Sequence, residues 1–198
     1  MTAIALRSPG RVGRPALIVA GLAGVVGLRW AATVTGFTGP VAIGGGFGIA
    51  LLGVVVASGW RPAPIHRPST LVGLAVGLAG GAVLVVLAIA TRSDRLPWLA
   101  PAAAFGPWAV ATVLVATAEE LVLRGALLDA LEGSVGTGSA VLITSVAFAL
   151  MHVPLYGWHV VPLDLGVGLW LAGLRLGTGG VVAPAVAHAI ADLATWWL

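Results

Sequence analysis

Apolar runs alternate along this chain with short polar breaks or breaks rich in Pro and Gly. The runs approach the roughly 20 residues a helix needs to cross a bilayer. Seven can be laid out, at 16–34, 41–60, 71–90, 105–131, 138–152, 161–176 and 181–197. The last three are short, and a re-entrant or tilted piece fits near Trp98. The breaks carry turn chemistry: a basic, Pro-rich loop at Arg61–Pro68, a charged loop at Arg92–Pro97, and Gly-rich turns at Gly133–Gly138 and Gly177–Gly180. Gly73, Gly77 and Gly81 recur at the spacing that lets membrane helices approach closely, which predicts a packing seam. The pattern predicts an all-α polytopic transmembrane bundle of about seven spans (six to eight). It forms a single integral membrane domain over residues 1–198, with no internal repeat and no soluble domain.

Composition narrows the class. The chain is 59% hydrophobic and 9% charged, with a mean hydropathy of +1.07, whereas a soluble domain carries roughly 25% charged residues. Such a chain cannot wet its whole surface, so membrane lipid is its solvent and first partner. The net charge of +3 comes from 10 basic residues, all Arg. They sit mostly between apolar runs, as topology signals do, and form no nucleic-acid surface. Their bias favours a cytoplasmic N-terminus. Arg7, Arg11, Arg14, Arg61, Arg67 and Arg175 then lie inside, and Arg92 and Arg95 lie outside, partly offset by Asp94. The first apolar run is too long for a cleaved signal peptide and reads as a retained signal anchor. We expect a bacterial plasma-membrane protein. With no Cys, disulfides and thiolate metal sites are excluded.

Ionisable residues inside spans cost about 2.5 to 3.5 kcal/mol each on insertion scales and usually mark function. Six stand out: Glu119, Glu120 and Arg124 in the fourth segment, His152 at the end of the fifth, and His188 and Asp192 in the seventh. Glu120 and Arg124 are four apart and share a helix face, so they are expected to pair as structural support. Glu119 lies about 100° around the helix and has no partner within it. His188 and Asp192 share a face, as do Phe148 and His152, whose rings are expected to pack together. Helical rise allows Glu119, His152, His188 and Asp192 to meet near mid-membrane. Two imidazoles with carboxylates form a zinc-type ligand set, and equally a general-base constellation that activates water. His66 and His159 fall in loops, Asp129 and Glu132 read as interfacial, and Asp164 has no evident partner. No His-Glu-x-x-His motif, Gly-x-Gly-Asp motif or phosphate loop occurs.

The stretch Ala118-Glu119-Glu120-Leu121-Val122-Leu123-Arg124-Gly125 resembles the Glu-Glu-x-x-x-Arg signature of type II CAAX prenyl endopeptidases. These belong to the wider CPBP (CAAX protease and bacteriocin-processing, or Abi) family. Phe148-Ala149-Leu150-Met151-His152 resembles the family's Phe-x-x-x-His motif, and His188-Ala189-Ile190-Ala191-Asp192 its His-x-x-x-Asn/Asp motif. The resemblance implies a protease-like core at 105–197 that hydrolyses a peptide bond of a membrane-associated peptide or protein, prenylated CAAX-type or bacteriocin-related. By that match Glu119 and His152 activate water and His188 and Asp192 assist, with or without Zn2+. If zinc is used, the same four residues are its ligands. Asp192 stands where Asn is usual in the prenyl proteases. A non-enzymatic reading, a proton-coupled carrier or membrane chaperone built on the same buried network, would tolerate loss of Glu119; a protease would not.

Overall fold

The computed structural model describes residues 13–36, 39–62, 67–91 and 104–198. The arginines at 7, 11, 92 and 95, Asp94, His66 and the piece expected near Trp98 lie outside them. Each of the seven predicted segments falls on helix. In chain order these are α1 (Gly13–Thr35), α2 (Pro40–Ala57), α3 (Arg67–Thr91), α4 (Phe105–Glu120), α5 (Leu128–Val135), α6 (Thr137–Tyr156), α7 (Val161–Thr178) and α8 (Val182–Ala194). No strand occurs among the described residues. A π-helical segment, Leu121–Leu127, joins α4 to α5, so the fourth run is one helical rod with a widened middle.

Some boundaries differ from expectation. The loop after α2 ends by Arg67, where α3 begins. The expected turn at 133–138 shrinks to Gly136, because α5 runs to Val135 and α6 starts at Thr137; Gly136 takes a φ of 81° that a side chain would resist. Gly179 closes α7 in the left-handed conformation of a helix C-terminus.

Among the described residues, five helices are long and apolar enough to cross a membrane: Gly13–Thr35, Pro40–Ala57, Thr70–Ala90, Thr137–Tyr156 and Trp158–Thr178. Large apolar side chains such as Leu28, Val56, Leu71 and Val86 stand exposed on their outer faces, which only lipid can cover at this density. The protein is an integral membrane α-helical bundle.

Contacts between helices set their directions. α1 and α2 are antiparallel: Gly21 abuts Val54, and the Arg29 guanidinium lies 4.4 Å over the Phe47 ring. α2 and α4 run parallel, with Gly44 near Ala111 and Gly48 against Leu114. The expected glycine seam exists and faces α8. A Cβ on Gly73, Gly77 or Gly81 would meet Val182, Val186 or Ile190 at 3.2, 2.7 and 2.9 Å, so α3 and α8 run parallel in close approach. α4 and α8 are antiparallel, since Phe105 packs on Trp196 while Glu120 meets His188. α6 and α7 are antiparallel, since Ser145 abuts Gly168 while His152 meets Asp164.

The bundle therefore has two ends. The near end holds the starts of α1, α3, α6 and α8 and the ends of α2, α5 and α7. The far end holds the ends of α1, α3, α6 and α8 and the starts of α2, α4 and α7. At the near end Asp129, expected to be merely interfacial, ties three elements together. It accepts hydrogen bonds from Trp60 Nε1 (2.7 Å) and Arg175 Nη2 (3.1 Å). The far end carries an aromatic cluster of Phe105, Trp108, Trp196 and Trp197, the chemistry of a membrane interface.

Candidate active site

The π segment begins directly after Glu119 and Glu120, and such bulges recur at functional sites because they re-aim side chains. Around it lies a buried polar layer. Arg124 donates to Glu120 Oε1 (2.6 Å) and to the Gly168 carbonyl (3.0 Å), and its guanidinium lies 4.7 Å over the Phe148 ring. Its own carbonyl accepts from Arg175 Nε at 3.0 Å. The pair expected from helix phase is present, and it is fully buried. Glu120 does more than that pairing, because His188 Nδ1 donates to the same Oε1 at 3.0 Å. A carboxylate can only accept, so this bond puts the ring proton on Nδ1 and turns Nε2 toward the other carboxylates.

Glu119 faces a different way, as expected. It is 2% exposed, yet it lines a cavity of about 550 Å³. His188 Nε2 lies 3.8 Å from Glu119 Oε2 and 3.5 Å from Asp192 Oδ2. Arg29 Nη1 lies 3.9 Å from Glu119 Oε1. These separations exceed hydrogen-bond length, so Glu119 is flanked without being locked.

His152, His188 and Asp192 line the same cavity. His152 Nδ1 is 2.9 Å from the Phe148 carbonyl, to which it donates, and 3.5 Å from Asp164 Oδ2. Nε2 is therefore its uncommitted nitrogen. Phe148 is the spacer of the site: its ring stands edge-on to His152 at 4.7 Å and to His188 at 5.4 Å. The expected Phe148–His152 packing is present. All four expected site residues share one cavity, with Glu120, Arg124 and Phe148 behind or between them.

The site is not centred in the bundle, however. His152 is four residues from the end of α6 and Asp192 two from the end of α8, about 6 and 3 Å of helix. The cavity runs from Glu119 toward the far end.

Sequence reasoning missed two charged lining residues. Asp164, left without a partner, sits beside His152. Arg29, inside the first apolar segment, reaches Glu119 from α1. Both are ionisable residues within spans, the signal that marked the other six.

The donor types suit zinc, yet no three His, Asp or Glu side chains among the described residues form a group that could hold a metal ion. Glu119, His188 and Asp192 come nearest, while His152 is turned to Asp164 and its own helix.

Neither curated proteins nor solved structures give a match to the chain. A family model does: residues 101–194 match type II CAAX prenyl endopeptidases of the Rce1-like kind. The matched segment holds all three motifs and every cavity-lining residue expected from them. Over those residues the chain is similar to the Rce1-like type II CAAX prenyl endopeptidases, a protease family.

Proposed function

We propose that this protein is an intramembrane endopeptidase that hydrolyses a peptide bond of a membrane-associated polypeptide, with Glu119 and His152 activating the attacking water. One observation carries the reading. The carboxylate of Glu119 is buried, free of short hydrogen bonds, and open to a cavity that also receives His152, His188 and Asp192. A group placed so can take a proton from a bound water, which is what a general base must do.

Water enters between Glu119 and the uncommitted Nε2 of His152. Its proton passes to Glu119 as its oxygen bonds to the carbonyl carbon of the substrate. The carbonyl electron pair becomes an oxyanion, and Arg29, the only arginine among the described residues that lines the cavity, supplies positive charge nearby. Collapse breaks the C–N bond, and the proton held by Glu119 goes to the leaving amine. His188, held through Nδ1 by Glu120, positions Glu119, and Asp164 positions His152. Zinc remains a proposal from the chemistry of the donor set. If bound, it would polarise the carbonyl or the water from Glu119, His152, His188 and Asp192. The steps above rest on side chains alone.

The test is Glu119→Gln, which keeps shape and removes the base. Wild-type protein in proteoliposomes should cut peptides from a panel of prenylated CAAX-type and unprenylated membrane-anchored peptides. The variant should fold normally and cut none. A variant that retains cleavage removes Glu119 from the chemistry. A wild-type protein cutting nothing in the panel while binding its peptides favours the non-enzymatic reading.

A further inference from the structure

The cavity is sided. Its lining residues reach from Glu119, Phe148 and His188 inside the bundle to the last turns of α3 (Leu87, Ala88), the first turns of α2 (Pro40, Val41) and the ends of α6 and α8 (Tyr156, Thr195) at the far end. Among the described residues, none of the lining comes from the near end. Below Glu119 the way is closed by Glu120, Leu123, Arg124, Leu127 and Thr144, all with no exposed surface. Among the described residues, the cavity leads from Glu119 to the far end and is closed toward the near end.

Charge assigns the ends. Of the 10 arginines, Arg7, Arg11 and Arg14 precede or open α1, Arg61 and Arg67 lie between or at the facing ends of α2 and α3, and Arg175 is in the last turn of α7. All six adjoin, in sequence, helix ends that lie at the near end. Only Arg92 and Arg95 fall between α3 and α4, whose facing ends are at the far end; Arg29 and Arg124 are inside the bundle. Arginine in short loops is retained on the cytoplasmic side, so the near end is cytoplasmic.

We infer that the active-site cavity opens to the extracytoplasmic face of the membrane. Its substrate is then a membrane-anchored or membrane-adsorbed polypeptide segment exposed on that face, and not the C-terminus of a cytoplasmic protein. The sidedness stands on the fold and the arginines; the substrate class rests on the peptidase reading as well.

The chain has no Cys, so single cysteines report each end without background. Gly39, at the start of α2, and Gly138, in the first turn of α6, are exposed, and a side chain at either meets nothing within 4 Å. Full-length Gly39→Cys and Gly138→Cys proteins are expressed in bacterial cells and treated with a membrane-impermeant maleimide. Gly39→Cys should be labelled in intact cells, and Gly138→Cys only after permeabilisation. The reverse pattern, or labelling of both in intact cells, overturns the inference and leaves the peptidase reading standing. Two single-span reporters then carry the same randomised juxtamembrane segment, one outside and one inside. Cleavage of the outside reporter alone is expected. Cleavage of the inside one overturns the substrate class, and cleavage of neither, with labelling as expected, overturns the peptidase reading and the substrate class with it.

Discussion

Replacing Glu120 by alanine should destabilise this protein far more than replacing Glu119 by glutamine, although the two are adjacent. Glu120 is fully buried and its Oε1 accepts from Arg124 at 2.6 Å and from His188 at 3.0 Å. Alanine leaves the Arg124 guanidinium with the Gly168 carbonyl and the Phe148 face alone, and leaves His188 Nδ1 without an acceptor. Removing one partner of a buried ion pair costs about 3 to 5 kcal/mol. For a domain of this size that is a fall of about 6 to 20 °C in Tm. Glu119→Gln disturbs contacts of 3.8 and 3.9 Å only. These are too long to be hydrogen bonds, so its cost should stay within about 1 kcal/mol. The assay is thermal unfolding in detergent, followed by the fluorescence of the eight tryptophans. Glu120→Leu combined with Arg124→Met removes both charges and should recover much of the loss, and the cycle of single and double variants isolates the coupling. Equal losses in Glu119→Gln and Glu120→Ala would refute the division of labour between the two carboxylates.

Three further outcomes follow from the geometry. Gly77→Val should lower Tm by an overpacking cost of about 1 to 3 kcal/mol, because its Cβ already meets Val186 and the Ala183 carbonyl at 2.7 and 2.8 Å, while Gly106→Ala, with nothing within 4 Å, should leave Tm unchanged. Asp164→Asn should keep Tm and lower kcat/KM about tenfold, or 1.4 kcal/mol, with a displaced pH profile, since Asp164 acts only through His152; unchanged kinetics would remove it from the site. Asp192→Asn should keep most of the activity and be indifferent to chelators if the side chains act alone; loss of activity restored by added zinc, together with stoichiometric zinc in the purified protein by elemental analysis, would instead establish the metal site.

Much of this protein is legible in its sequence because lipid makes every polar group conspicuous. With charges so rare, Glu119, Glu120, Arg124, His152, His188 and Asp192 announce themselves. The 3.6-residue period then separates Glu119 from the Glu120–Arg124 pair and places Phe148 beside His152, as the structure has them. The glycines of α3 likewise advertise a close approach, since small side chains at every fourth position serve little else.

What the sequence left open depends on contacts between residues far apart in the chain. Helix period within α3 cannot say that its seam meets α8. Arg29 approaching Glu119 spans four helices in chain order, Asp164 meets His152 only because α7 folds back on α6, and Glu120 holds His188 only because α4 and α8 cross in opposite directions. The π segment is invisible in the apolar pattern because its residues suit an α-helix equally well. Helical rise placed the four site residues at compatible depths, while the actual packing of α6 and α8 moved the cavity toward one end. That displacement, joined to the arginine bias, makes the site one-sided. The sequence by itself determined which residues the membrane could not bury alone; the tertiary structure decided how they were shared out, because each buried charge takes its partner from whichever helix the packing brings within reach.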